Sequence, residues 1–312
     1  MRCCVRELRI ADTLIDDASD AYVISELGSN HQGDVNRCLD LVMRAADCGV
    51  DAVKFQVKNI STLYSKALLE RPYDNPVSFG ATYGAHKEAL ELHPLTLWAV
   101  FRAAAEKGVH CFATAFDEPS VDVLEAFNPP AYKIHSGGLT DSALLTYVGT
   151  LGKPVILSTG GGRLEDVKLA VELLQTLGAP LAVLQCTASY PCEFEQLDLR
   201  VIETYRQEFP DVVVGYSGHD SGIAMATCAY VLGARIIERH FTQNRALKGT
   251  DHAFSLEPAG MRRQVRDLKR IRVALGDGVK KYHASEVGPV SKMRRRDTPE
   301  GWQITGAQDA SD

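Results

Sequence analysis

VVVGYSGHDSGIAMATCAYVLGARIIERHF, residues 212–241, holds the unit from which the fold can be read. It begins with a β-prone run, VVVGYS (212–217). A helix-compatible stretch closed by glycine follows, IAMATCAYVLG (223–233), and then a second β-prone run, ARIIER (234–239). Strand, helix with a glycine stop, strand is the pattern of a βαβ unit, and the crossover makes its two strands parallel. Each strand leads into a histidine, His219 after the first and His240 after the second.

The same unit recurs towards the N-terminus. Further strand runs are AYVISE (21–26), DAVKFQ (51–56), VHCFAT (109–114), AYKIH (131–135), PVILST (154–159) and LAVLQC (181–186). Helical patterns separate them, and a last one follows the final strand, MRRQVRDLKRIRVALG (261–276). Eight strands alternating with eight helices predict a (β/α)8 TIM barrel. A doubly wound open sheet is the competing fold, and the even count and regular spacing favour the barrel. Residues 1–20 predict a short strand or hairpin capping the barrel's N-terminal end, 21–282 the catalytic barrel, and 283–312 a polar tail. The insertion between Val57 and His93 is long for a βα loop and sits on the face where barrel sites form, which makes it a candidate lid. It carries Tyr64, Tyr73, Asn75, Tyr83 and His86, groups suited to sugar faces and hydroxyls.

Composition narrows the class. The chain has 312 residues, 45% hydrophobic and 24% charged, an ordinary globular balance. No apolar run is long enough for a membrane span, and the charged N-terminus has no export-signal core. The eight cysteines contain no C-x-x-C pair, so buried thiols in a reducing cytoplasm are expected. A net charge of −6 argues against nucleic acid as the main partner.

Chemistry in such barrels collects at the C-terminal strand ends. Polar residues crowd there: Glu26, Lys54, Gln56, Thr114, Lys133, Ser136, Ser158, Ser189, Tyr190, Ser217, His219, Glu238 and His240. Strand alternation puts Lys54 with Gln56 on one face, and Glu238 with His240 on another. Any single serine is equally well a helix cap; nearly every strand ending in polar groups is not explained by capping alone. Lys54 and Lys133 fit either a structural salt bridge with Glu26 or Glu238, or a grip on a phosphate or carboxylate. The run STGGG at Ser158 adds backbone N–H groups that favour anions. His219 and His240, on adjacent strands, fit either structural hydrogen bonding or a shared metal ion with open positions.

Six motifs in register carry a resemblance: SELGSNHQGDVNRCLDLVMRAADCGVDAVKFQ (25–56), AYKIHSG (131–137), GKPVILSTGG (152–161), QCTASYP (185–191), GYSGHD (215–220) and IIERHFT (236–242). In this order the chain resembles the sialic acid synthase (N-acetylneuraminate synthase) family over roughly residues 20–282. The resemblance implies condensation of phosphoenolpyruvate with the open-chain aldehyde of an N-acylated hexosamine, giving a nonulosonic acid and phosphate. It implies a divalent metal, usually Mn2+ with Mg2+ or Co2+ admitted, on His219 and His240. It implies Glu26 and Glu238 as catalytic, Glu26 for acid–base work and Glu238 to orient water or hold the sugar. Lys54, Thr114, Lys133, Ser136, Ser158, Ser189 and Ser217 fall where the family holds phosphoenolpyruvate; Gln56, Tyr190 and Asp251 fall near the sugar and metal. The chain departs from the family pattern at Ser189, often Asn, and at Gly138, often Glu. The family's C-terminal antifreeze-like domain, which gives the partner's site an arginine in the homodimer, does not follow the barrel in this sequence, so sugar recognition is expected from the barrel's own loops. A homodimer stays open. The alternatives are a related aldose or aldose-phosphate condensing synthase, expected to show an added basic cluster, and a non-catalytic sugar-binding barrel.

Overall fold

The computed structural model describes residues 5–304. The chain divides after Arg272 into two compact units. In the first, strands β1 (Glu7–Ile10) and β2 (Thr13–Asp16) form an antiparallel hairpin. Eight parallel strands follow: β3 (Tyr22–Gly28), β4 (Ala52–Val57), β5 (His110–Ala115), β6 (Tyr132–Ile134), β7 (Val155–Ser158), β8 (Leu181–Cys186), β9 (Val213–Gly218) and β10 (Ile236–His240). They close in chain order, with β10 pairing back onto β3. This is the expected TIM barrel, and closure leaves no sheet edge of the open-sheet alternative.

The period-two pattern sorts each strand into two faces. Val23, Val53, Phe55, Cys111, Ala113, Val155, Val183 and Ile237 pack outward with the helices in one large apolar cluster. Tyr22, Ile24, Ala52, Phe112, Ile156, Ala182, Leu184, Val213 and Ile236 fill the interior. Leu8, Ile10 and Ile15 of the hairpin belong to that inner cluster, so the hairpin plugs one end of the barrel. Inward positions above these apolar layers are polar: Glu26, Lys54, Gln56, Thr114, Lys133, Ser158, Ser217, Glu238 and His240. Being two or four residues further along each strand, they lie at the C-terminal end.

Segment 57–93 is folded. It holds three short helices, Ile60–Leu63, Lys66–Leu69 and Tyr83–Glu88, and a bridge between Pro72 and Thr82. Caps from Asn59, Ser65 and Thr82 start the helices. Tyr73 lies against Tyr83 and His86, with ring centroids 5.4 and 4.6 Å apart, and Phe79 stacks on His86.

The described residues of the second unit are mostly exposed, and they carry structure that weak periodicity does not announce. It contains a short helix, Val287–Ser291, and an antiparallel hairpin of β11 (Arg295–Thr298) and β12 (Gly301–Ile304). The signal lies in the turn, Thr298-Pro-Glu-Gly301, with Pro fixing φ at its second position. Gly301 takes φ +102°, and Thr298 Oγ1 donates to its carbonyl at 2.7 Å. Among the described residues no helix is long and apolar enough to cross a membrane.

Candidate active site

A cavity of about 460 Å³ opens at the C-terminal ends of the barrel strands. Register explains who meets whom. His240 pairs with Glu26 across β10 and β3, and Glu26 with Lys54 across β3 and β4. Gln56 pairs with Thr114, and Thr114 with Lys133. Ser217 pairs with Glu238. A bulge in β3 between Glu26 and Gly28 ends that ladder, and Gly28 takes φ +48°. A side chain at Gly28 would have its Cβ 3.0 Å from Asp251 Oδ2 and 3.4 Å from His240 Nδ1. Glycine is therefore required for the backbone to pass this close to the site.

The charged floor is uneven. Lys54 forms an ion pair with Glu26 and lies 3.7 Å from Glu238 Oε1, and it donates to Thr114 Oγ1 at 2.8 Å. Burial depresses the Lys54 ammonium, but Glu238 and Glu26 outweigh it and hold its pKa above the ordinary lysine value. Gln56 Nε2 donates to Glu26 Oε1 at 2.9 Å. Lys133 differs. Its ammonium donates to Ser158 Oγ at 2.5 Å and to the Ile134 carbonyl at 3.0 Å, with no carboxylate within 4 Å among the described residues. Burial dominates there and lowers its pKa, against the more distant pull of Glu238. Glu238 accepts from Ser217 Oγ at 3.2 Å. Burial raises the Glu238 carboxyl, and Lys133, Lys54 and His240 overturn that and hold it below the usual range.

The two histidines meet at the rim, with ring centroids 5.3 Å apart and Phe254 and Tyr190 packed against them. His219 Nδ1 lies 2.8 Å from the Thr187 carbonyl. A carbonyl only accepts, so Nδ1 carries the proton and Nε2 keeps a free lone pair. His240 Nδ1 and Glu238 Oε2 are buried with no hydrogen-bond partner among the described residues. Asp251 Oδ2 is 3.7 Å from His240 Nδ1. Burial raises the Asp251 carboxyl, but His240, Thr250 and Lys58 hold it below its usual range. Among the described residues no group of three His, Cys, Asp or Glu side chains is arranged to hold a metal ion. A fixed tautomer on one imidazole and an unpartnered nitrogen on the other nevertheless suit a cation that keeps open positions.

Ser136 and Tyr190 also line this cavity; Ser189 does not. Its hydroxyl donates to the Pro191 carbonyl at 3.0 Å, and the residue lines a second cavity of about 700 Å³ on the other side of the 187–191 loop. Neighbours on an extended loop point opposite ways, and Tyr190 takes the inward place. Of the loop residues expected to face sugar, Tyr64 lines the cavity; Tyr73, Asn75, Tyr83 and His86 do not.

Sequence reasoning missed Lys58, Lys87, His135, Ser29, Phe116, Cys186 and Thr250, all of which line the cavity. For two of these the signal was present. Period two carried past the strand ends puts Lys58 in line with Lys54 and Gln56, and His135 in line with Lys133. His135 stacks on Phe116, centroids 4.0 Å apart, and accepts from the Gly137 N–H at 3.1 Å. Burial, then Lys133, Lys58 and Lys54, push its pKa down to about 3, so the ring is neutral.

Comparison with known proteins agrees with this architecture. A family model described as NeuB family matches residues 41–280. The N-acetylneuraminate-9-phosphate synthase of Homo sapiens is 36% identical over 272 residues, 87% of this chain and 76% of that protein. The N,N'-diacetyllegionaminic acid synthase of Legionella pneumophila is 33% identical over 293 residues, 92% of this chain and 82% of that one. The crystal structure of an N-acetylneuraminic acid (sialic acid) synthetase from Leptospira borgpetersenii superposes with a TM-score of 0.80 at 28% identity. That match covers 95% of this chain and 100% of the other. With the barrel closed and its polar strand ends gathered in one cavity, the chain belongs to the NeuB family of sialic acid synthase-like enzymes.

Proposed function

We propose that this cavity joins phosphoenolpyruvate to the open-chain aldehyde of an N-acylated hexosamine, releasing a nonulosonic acid and phosphate. The observation that carries the reading is Lys133, a buried ammonium whose partners among the described residues are a hydroxyl and a carbonyl, in the same cavity as the His219–His240 pair. A buried cation lacking a counter-ion is the feature an anionic substrate completes. The names of the relatives, synthases of sialic and legionaminic acids, support the product class.

Lys133, Lys54, Ser136, Ser158 and Ser217 hold the phosphate and carboxylate, with Thr114 steadying Lys54. This fixes the enol carbon C3 towards the aldehyde. Gln56, Tyr190 and Asp251 hold the sugar. His219 and His240 would hold a divalent cation, Mn2+ by preference, and when bound it would supply Lewis-acid polarisation of an aldehyde oxygen. The C2–C3 π electrons of phosphoenolpyruvate form the new bond from C3 to the aldehyde carbon, the carbonyl π bond breaks, and the alkoxide so formed takes a proton from water. Water adds to the oxocarbenium carbon left at C2. Glu26, buried beside Lys54 and Gln56, takes the proton of that water, and Glu238 orients it. The C2–O bond to phosphate then breaks, leaving the 2-keto acid.

The test is phosphate release from phosphoenolpyruvate across a panel of N-acylhexosamines and hexoses, with and without Mn2+. Turnover confined to N-acylhexosamines is expected. Turnover only with non-acylated aldoses, or with none, overturns the reading.

A further inference from the structure

His135 lines the active-site cavity, and the condensation described above gives it no task. It follows β6 directly and opens the turn Ser136–Gly138, so it stands between Lys133 and Ser136 in the chain. Its Nδ1 accepts from the Gly137 N–H at 3.1 Å. A backbone N–H only donates, so Nδ1 keeps its lone pair and the ring hydrogen sits on Nε2. The ring is held as firmly as its tautomer. It stacks on Phe116, with centroids 4.0 Å apart and planes 19° apart. Burial, then the ammoniums of Lys133, Lys58 and Lys54, push its pKa down to about 3, so this tautomer persists through the neutral range.

Two glycines leave the Nε2 edge open. A Cβ at Gly137 would stand 2.8 Å from His135 Cε1, and a Cβ at Gly138 would stand 3.5 Å from Nε2 and 2.9 Å from Ile134 Cγ2. Gly138 is also a position at which the chain departs from the family pattern. Without a side chain there the imidazole has this part of the wall to itself, and among the described residues its Nε2 has no hydrogen-bond partner. A polar hydrogen fixed by a cap and a stacked ring, and given no acceptor by the protein, fits an acceptor that a ligand brings. Charge decides which ligand. The anionic substrate already has the ammoniums of Lys54 and Lys133 and the hydroxyls of Ser136, Ser158 and Ser217, to which a neutral N–H adds little. An uncharged oxygen is the better match, because an imidazole N–H gives up far less solvation to meet it than an ammonium would.

We propose that His135 is a substrate-binding residue of this chain, its Nε2–H donating to an uncharged oxygen, hydroxyl or acyl carbonyl, of the open-chain sugar. This rests on the condensation reading above and assigns one contact to its second substrate. The competing account gives the imidazole to the fold alone, through its cap on Gly137 and its stacking on Phe116.

Two substitutions separate the accounts. In His135→Asn the amide oxygen replaces Nδ1 and keeps the cap, but nothing reaches the Nε2 position. In His135→Gln the amide nitrogen reaches the Nε2 position, and the cap is lost. The probe is N-acetylmannosaminitol, which lacks the aldehyde, titrated calorimetrically into Mn2+-loaded enzyme saturated with phosphoenolpyruvate. Each variant is first checked for an intact melting transition. His135→Asn should weaken alditol binding about tenfold, the worth of one hydrogen bond, while His135→Gln should stay within about threefold of the parent. Phosphoenolpyruvate affinity should be unchanged in both. His135→Asn binding the alditol as the parent does, His135→Gln losing as much as His135→Asn, or a loss confined to phosphoenolpyruvate overturns the contact. Mannitol, which has no acyl group, identifies the oxygen: an equal loss with mannitol assigns a hydroxyl, and a loss confined to the acylated probe assigns the acyl carbonyl. Failure of every aldehyde sugar to release phosphate from phosphoenolpyruvate would sink the condensation reading instead, while the alditol titration still decides the role of His135.

Discussion

Lys133→Met and Lys54→Met should change stability in opposite ways. Both lysines are buried at 2% exposure, two strands apart on the same floor, with β5 between them. Lys54 sits between two carboxylates, in contact with Glu26 and 3.7 Å from Glu238. Removing it strands two buried negative charges, and breaking a buried pair this way costs about 3–5 kcal/mol. Among the described residues Lys133 has no carboxylate within 4 Å; it has the Ser158 hydroxyl and the Ile134 carbonyl. Its replacement loses two hydrogen bonds but also relieves the desolvation of an uncompensated charge. Each effect amounts to a few kcal/mol, so the net is within about 1 kcal/mol of zero. A methionine fills much the same volume, so no cavity cost is added. At about 2–4 °C per kcal/mol for a domain of this size, Lys54→Met should melt roughly 10 °C lower and Lys133→Met within a few degrees of the parent. Without ligand the two are told apart by melting, and with ligand by calorimetry. Lys133→Met should lose about 2–3 kcal/mol of phosphoenolpyruvate binding, or about 30- to 150-fold. A Lys133→Met protein that melts as low as Lys54→Met would refute the argument, because it would mean Lys133 is paired in the free protein. Unchanged phosphoenolpyruvate binding would refute its role in holding the anion.

His219→Ala and His240→Ala should each abolish most turnover with the melting transition retained, and a chelator should do the same to the parent until Mn2+ is restored; full activity in chelator would sink the metal assignment. Arg239→Met should cost about 3–5 kcal/mol, since among the described residues it leaves the buried Asp220 carboxylate with the Tyr216 hydroxyl as its one side-chain partner, and the double variant with Asp220→Asn should recover part of the loss in urea denaturation. His31 is buried, with its pKa pushed down to about 4 by burial and then by Lys58. Between that value and the ordinary 6.5 the unfolded chain binds a proton that the folded one refuses, so stability falls as pH drops through this window, by about 3 kcal/mol in total. His31→Gln, compared with the parent in chelator, should flatten the dependence of unfolding free energy on pH between 6.5 and 4, and an unchanged slope would contradict it.

The strand-end chemistry was legible because a strand's face is a local property. Lys54 and Gln56, or Glu238 and His240, share a face through a two-residue repeat that needs no knowledge of neighbours. Carrying that repeat two residues further would have found Lys58 and His135. No such rule reaches Lys87, which arrives on the helix Tyr83–Glu88, well beyond the end of β4 at Val57. Nor does it separate Ser189 from Tyr190, which sit on a loop whose direction is set by packing against His219 and Phe254. Aromatic content likewise suggested that Tyr73, Tyr83 and His86 would face sugar, when they satisfy one another inside segment 57–93.

Sequence alone therefore determined the barrel, the end of it where polar side chains gather, and the residue types gathered there. Periodicity and chain order encode these directly, since each strand needs only its own pattern and a helix-length return. Tertiary structure alone decided which charges are spent on one another. Lys54 and Lys133 look alike in sequence, each an inward lysine near a strand end. Closure of the ring sets Lys54 between Glu26 and Glu238 and leaves Lys133 with hydroxyl and carbonyl partners. Whether a buried ammonium is structural or waiting for an anion depends on distances of a few ångströms between residues far apart in the chain, and Coulomb energy in a dry interior makes those distances decisive.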